Sequence, residues 1–320
     1  MLDLITLENL PNTWIGKLTN AIRYFKGYSF HPFFISFIIT HRCNLKCSFC
    51  YQKNCFKTKE LDFNFNDLEL LENNINSLTF KPNIHIFGGE PTLHPNFLDI
   101  MKFFDEKNYR LYLTTNGTKL NELSDDLIKL NNLKEINISL CTQKWSEYIR
   151  NIKKLKENEN IRVNLCLTIS PKNCKKFSDI VETFNNKVDS IVFLHLMFDK
   201  QIKNSVNYNE ILSQMSKINK NYNTSIRFFP SIKTQDIEKY YENPTFPEKN
   251  KCLRPWFVLF ILPTGEVIPC EQLKPHMIGN LKKEPLCEIW NNEKFRNYRK
   301  RIHEKGIFIN CSRCCHRQFY

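Results

Sequence analysis

His41-Arg42-Cys43-Asn44-Leu45-Lys46-Cys47-Ser48-Phe49-Cys50 stands directly after Phe33–Thr40, a run rich in phenylalanine and isoleucine. That run is far too short to span a bilayer and suits a buried strand. Three cysteines in one short loop can hold three irons of a cubane cluster and leave the fourth iron open to a small molecule. The same spacing also suits a zinc knuckle. The next strand bears on the choice: Asn83–Phe87 ends in Gly88-Gly89-Glu90-Pro91. Paired glycines at a strand end let the backbone approach a ligand closely, and a carboxylate beside them can hold an ammonium group. The C-terminal ends of strands are where α/β folds place ligands.

Outward from these motifs the chain alternates. Strands are expected at Phe33–Thr40, Asn83–Phe87, Tyr109–Thr115, Glu135–Leu140, Arg162–Ser170 and Ser190–Phe198. Between them fall helices at Asn66–Leu78 with Asn66 as cap, Asn96–Glu106, Ser124–Leu130 with Ser124 as cap, Trp145–Lys156 and Cys174–Asn185; another follows at Asn209–Lys220. Strands separated by helices imply a parallel sheet with right-handed crossovers, and six are too few for an ordinary closed eight-fold barrel. The fold class is therefore α/β, an open partial barrel. Tyr112, Thr114 and Asn116 share one strand face, as do Asn137, Ser139 and Cys141, and Asn164, Cys166 and Thr168. The opposite faces are apolar and should meet the helices, so the polar faces should line a ligand-filled lumen.

At this point the sequence resembles the radical S-adenosylmethionine (radical SAM) superfamily, on Cys43, Cys47, Phe49 and Cys50 and on Gly88, Gly89 and Glu90. The resemblance covers roughly Phe33 to Phe198 and implies a partial (β/α)6 barrel. It implies a [4Fe-4S] cluster on the three cysteines, with the amine and carboxylate of S-adenosylmethionine on the unique iron. Phe49 would lie near the adenine and Gly88–Glu90 would bind the methionine amine. Asn116 and Ser139, at later strand ends, are candidates for the cofactor's polar groups. No carboxylate-binding arginine is evident; Arg150 reads as an exposed helix position.

From about Asn221 the alternation stops. Pro230, Pro244 and Pro247 punctuate an irregular stretch, then Phe257–Leu262 and Val267–Pro269 read as a hairpin around Gly265, and Pro285–Glu304 as one long helix. Cys252 and Cys270 flank the hairpin, and Cys311, Cys314 and Cys315 lie near the C-terminus. Zinc is one occupant of such a set. The spacing also resembles the auxiliary-cluster modules called SPASM and twitch, which implies one auxiliary [4Fe-4S] cluster on Cys252, Cys270, Cys311 and Cys314, with Cys315 as the alternative to Cys314. The expected division is a 1–30 extension, a 31–225 barrel and a 226–320 auxiliary module of hairpin plus helix.

The 320 residues carry 13 cysteines and no basic leader at Met1-Leu2-Asp3-Leu4, which together predict a cytoplasmic protein that uses thiols for metal or redox chemistry. Net charge is +13, but the lysines are scattered, which argues against a nucleic-acid surface. The resemblance implies reductive cleavage of S-adenosylmethionine to a 5′-deoxyadenosyl radical, with an external flavodoxin- or ferredoxin-type electron donor and no membrane partner. Peptide or protein modification is the leading expectation. A small-molecule substrate (a sugar, aminocyclitol or cofactor precursor), tRNA modification and a non-enzymatic iron–sulfur carrier stand behind it. Cys141, two residues beyond Ser139, reads either as a small buried residue or as a thiol donating hydrogen to a substrate radical.

Overall fold

Leu111, Leu113, Ile136, Ile138, Val163 and Leu165 alternate with polar residues along three neighbouring strands, and every one is fully buried against the helices. Each such side chain contributes about 1.5–3 kcal/mol by leaving water. The structure, a computed structural model, describes residues 27–50, 52, 61–142, 144–196, 207–218, 222–242, 252–271, 276–308, 311 and 314.

Seven strands run parallel in chain order: β1 (Phe34–Thr40), β2 (Asn83–Gly88), β3 (Leu111–Thr115), β4 (Leu133–Ser139), β5 (Arg162–Thr168), β6 (Ser190–Leu194) and β7 (Ser225–Phe229). The crossovers carry α1 (Leu68–Ile75), α2 (Phe97–Glu106), α3 (Leu120–Leu127), α4 (Trp145–Leu155), α5 (Phe177–Phe184) and α6 (Tyr208–Lys217). α7 (Ile237–Glu242) follows β7. The hairpin β8 (Val258–Ile261) and β9 (Glu266–Ile268) is extended by β10 (Gly279–Asn280). β8 pairs parallel with β1, so among the described residues one ten-stranded sheet runs β10-β9-β8-β1-β2-β3-β4-β5-β6-β7.

The open α/β partial barrel is as expected, with differences that have local causes. β7 lies in the stretch read as irregular; it is five residues long and interrupted by Arg227. It belongs to the barrel sheet and spans the expected boundary at 225/226. The hairpin, rather than standing apart, continues the same sheet. Ser124 does not cap a helix: it lies inside α3, and its hydroxyl donates back to the Leu120 carbonyl at 2.5 Å. The turn that leads into α1 is capped by Asn64, whose side chain accepts from Asn66 N, and Asn66 itself is not the cap. The expected helix at Pro285–Glu304 is two, α8 (Leu286–Trp290) and α9 (Glu293–Lys305). Asn292 breaks the run by accepting from Phe295 N at 2.9 Å as the cap of α9. Met197, Phe198, Pro244, Pro247, Cys315 and residues 1–26 lie outside the described residues.

Segment 27–29 docks on the C-terminal helices. Asn291 accepts from Ser29 N at 3.1 Å and donates to Ser29 O at 2.8 Å, while buried Arg299 donates to Gly27 O at 3.1 Å.

Candidate active site

The first half of the cysteine loop is fixed by side-chain hydrogen bonds. Thr40, the last residue of β1, accepts from Arg42 N at 3.0 Å and donates to Asp62 at 2.6 Å. Asn44, inside the loop, donates to Thr118 Oγ1 and accepts from Asn116 Nδ2, both at 2.9 Å. Cys43, Cys47 and Cys50 thereby line one side of a cavity of about 220 Å³, at the C-terminal ends of the parallel strands.

The glycine pair acts on the chain itself. A Cβ on Gly88 would lie 2.4 Å from Thr40 O, and one on Gly89 2.1 Å from Arg42 O. Gly89 N donates to Thr40 O at 2.8 Å and Glu90 N to Arg42 O at 2.7 Å. The close approach expected toward a ligand is made first to the backbone that enters the cysteine loop. Glu90 is 1% exposed. Its Oε1 accepts from Thr92 N, Thr92 Oγ1 and Thr115 Oγ1, and its Oε2 accepts from Asn116 N at 2.6 Å. Burial raises its pKa, and these hydrogen bonds oppose the rise.

Phe49, Gly88, Gly89, Glu90, Asn116, Ser139 and Cys141 all line the same cavity as the three cysteines. The amide of Asn116 is engaged inside the protein, by Asn44 and by Thr118 N at 3.0 Å. Cys141 stands beside Cys47; that thiol and burial push its own pKa far above the ordinary range. Arg150 is exposed on α4.

The same cavity is also lined by residues that no sequence motif marks. His85 is buried in the lumen, with Nδ1 3.2 Å from Ser36 Oγ and Nε2 2.9 Å from Thr114 Oγ1. Burial holds it well below the ordinary histidine range. Arg254 and Glu271 form a buried ion pair at 3.1 Å, and the guanidinium lies over Phe260. His195 follows the last residue of β6. Its position at a strand's C-terminal end was the available signal, as was the closeness of Arg254 and Glu271 in sequence to Cys252 and Cys270.

Cys252, Cys270, Cys311 and Cys314 line a second, apolar cavity with Tyr298 and Phe308, and Arg254 borders both cavities. Burial pushes the Cys252 and Cys311 thiols up to about 12, so a metal centre here must displace protons to bind. Among the described residues no three cysteine, histidine or carboxylate side chains converge as on a single metal ion. The donor chemistry fits two clusters: three thiols beside the larger cavity for one with a free iron, four thiols around a small apolar pocket for one with none.

The sequence pattern of the radical SAM superfamily matches residues 37–142, and that of SPASM, an iron–sulfur cluster-binding domain, matches residues 252–315. The chain belongs to the radical SAM superfamily. As a radical SAM enzyme it uses S-adenosylmethionine and a [4Fe-4S] cluster, and its C-terminal part is an iron–sulfur module. The chain is 21% identical over 324 residues, covering 86% of itself and 85% of the relative, to the tungsten-containing aldehyde ferredoxin oxidoreductase cofactor-modifying protein of Pyrococcus furiosus. It is 24% identical over 286 residues, covering 82% of itself and 60% of the relative, to the antilisterial bacteriocin subtilosin biosynthesis protein AlbA of Bacillus subtilis. Among solved structures, Streptococcus suis SuiB bound to precursor peptide SuiA shares the fold with a TM-score of 0.67 at 14% identity, over 92% of this chain and 73% of that one. No helix among the described residues is long and apolar enough to cross a membrane.

Proposed function

We propose that this radical SAM enzyme modifies a peptide or protein, with Cys43, Cys47 and Cys50 holding the cofactor-binding cluster and Cys252, Cys270, Cys311 and Cys314 an auxiliary one. The observation that carries the reading is the pair of thiol-lined cavities, one with three cysteines and one with four, bordered in common by Arg254. When bound, the first cluster and S-adenosylmethionine supply a 5′-deoxyadenosyl radical that takes hydrogen from a substrate carbon.

The chain's own residues do the rest. Glu90 Oε2 has one internal donor and retains acceptor capacity for the methionine ammonium. Asn116 and Asn44 brace the cysteine loop against β3, while Phe49 would lie by the adenine and Ser139 would contact a polar group of the bound cofactor. Phe87, Phe260 and Leu194 keep the cavity interior apolar and exclude water. The four-thiol pocket suits electron transfer, since a cluster ligated there has no open iron. An external flavodoxin- or ferredoxin-type protein supplies the reducing electron.

The peptide reading is supported by the likeness to AlbA and to SuiB with its precursor peptide. A small-molecule substrate is the second reading, favoured by the likeness to a cofactor-modifying protein. Protein reconstituted anaerobically with iron and sulfide is expected to release 5′-deoxyadenosine from S-adenosylmethionine on reduction. The Cys43→Ala/Cys47→Ala/Cys50→Ala variant is expected to release none, and persistent release would overturn the assignment. Mass spectrometry of short peptides encoded beside the gene then tests the substrate class: unchanged peptide masses under turnover conditions that alter a sugar or aminocyclitol favour the second reading.

A further inference from the structure

Two of the polar side chains that line the cavity are already engaged by neighbours. His85 uses both ring nitrogens on Ser36 and Thr114, and Arg254 is paired with Glu271. His195 differs. Its residue is 1% exposed and borders the cavity just past β6. Nδ1 lies 2.9 Å from Tyr241 Oη, and the rings of Phe228, Tyr240 and Tyr241 enclose the imidazole at centroid distances of 6.1, 5.6 and 5.8 Å. Nε2 is buried and, among the described residues, has no hydrogen-bond partner. A buried polar atom left unmatched in a folded protein is costly, and a ligand in the adjoining cavity would remove that cost.

We propose that His195 Nε2 is the recognition point for a neutral hydrogen-bonding group of the substrate, a hydroxyl or a carboxamide, seated against Leu194 and Phe260. The inference rests on reading this cavity as the substrate site. Charge excludes the other classes. The only lysine or arginine among the described lining residues is Arg254, and Glu271 already neutralises it. Desolvation alone lowers the His195 pKa to about 4, so the ring is neutral at cellular pH. Among the described lining residues a substrate carboxylate would find no cation but Arg254, already paired, and an ammonium would have to compete with Arg254 for Glu271. A hydroxyl or carboxamide both donates and accepts, so it pairs with Nε2 in either imidazole tautomer. The Tyr241 hydroxyl and the rings of Phe228, Tyr240 and Tyr241 hold the imidazole in place for that contact.

The test uses holoenzyme with both clusters and bound S-adenosylmethionine, and ligand-observed NMR of defined probes. These are N-acetylserine N-methylamide, its alanine, aspartate and lysine counterparts, and glucose. The serine probe is expected to bind roughly fivefold more tightly than the alanine probe, as one added hydrogen bond allows. His195→Phe is expected to abolish that difference. His195→Gln, which keeps a polar nitrogen near the same place, should retain part of it. Glucose binding with the same dependence on His195 supports the proposal with a sugar as the source of the hydroxyl. Equal binding of serine and alanine probes, no measurable binding, preference for the aspartate or lysine probe, or a preference unchanged in His195→Phe overturns it. If His195→Phe does not fold, His195→Gln and Tyr241→Phe carry the comparison, and a full serine preference in both counts against the proposal. Wild-type enzyme that cleaves S-adenosylmethionine but shows no His195-dependent preference sinks this inference alone. Wild-type enzyme that fails to cleave it sinks the proposed function instead.

Discussion

Arg254 Nη1 meets Glu271 Oε1 at 3.1 Å, with the two side chains only 10% and 5% exposed, and the guanidinium borders both thiol-lined cavities. Removing one partner of a buried pair strands the other charge, whereas replacing both by apolar residues is often tolerated. Glu271→Ala is therefore expected to cost about 3 kcal/mol of stability, and the double variant Arg254→Met/Glu271→Leu less than either single change. Anaerobic urea unfolding followed by circular dichroism measures both. A double variant as unstable as Glu271→Ala would show that the pair does more than satisfy itself.

Gly89→Ala tests the junction between β2 and the cysteine loop. The new methyl would lie 2.1 Å from Arg42 O, a backbone atom with no room to yield, so the loop must shift. Iron content is expected to fall from about eight atoms per chain to about four, with the auxiliary site retained. Full iron loading in this variant would mean that the loop tolerates the displacement.

Glu90→Gln replaces an acceptor-only group with one that must turn an N–H₂ toward existing donors, among them Thr115 Oγ1 and Asn116 N. Binding of S-adenosylmethionine is expected to weaken about tenfold or more. Equilibrium dialysis with labelled cofactor reads the change directly, and an unchanged affinity would confine Glu90 to a purely architectural role.

Cys252→Ala/Cys270→Ala is expected to lose the auxiliary cluster while some reductive cleavage of S-adenosylmethionine persists. A net oxidation of substrate should stop in this variant. Metal analysis of the wild-type site decides the matter independently: zinc in place of iron would remove the electron-transfer role.

His195 links the cavity to acid stability. Its folded-state pKa is about 4, lowered by burial, against an ordinary value of 6.5. The unfolded chain therefore binds the extra proton first as pH falls. Stability is unaffected well above pH 6.5 and declines as pH drops from there toward 4. His195→Phe is expected to reduce the loss of unfolding free energy between pH 7 and pH 5 by about 2 kcal/mol. Urea midpoints at the two pH values provide the comparison, and identical pH slopes in the two proteins contradict it.

The cysteine loop, the glycine pair and the polar strand faces were legible because each is a local pattern: ligand spacing, a motif at a strand end, a period of two. Cys43, Glu90 and Ser139 come from three separate strand ends, yet that shared address was enough to bring them to one cavity. What escaped depends on distant partners. β7 is a strand because Ser225–Phe229 finds the open edge of β6, which nothing within those five residues announces. The engagement of Asn116 with Asn44 rests on two loops meeting, 72 positions apart. His195 became visible only once Tyr241 had claimed one of its nitrogens and left the other unmatched in a residue that borders the cavity. Ser124 was misplaced for a simpler reason: a serine that bonds back to the preceding turn resembles a cap in sequence.

β1 has β2 on one edge and β8 on the other. During synthesis the ribosome delivers β1 and its cysteine loop well before β8, so the nascent barrel presents a bare row of amides and carbonyls until β8 emerges. That strand, Phe34–Thr40, is almost wholly apolar and invites pairing between neighbouring chains. The C-terminal module is thus a chain-encoded cover for the strand that leads into the first cluster site. Cutting the protein before Cys252 would leave a sticky, self-associating barrel in place of an independent half.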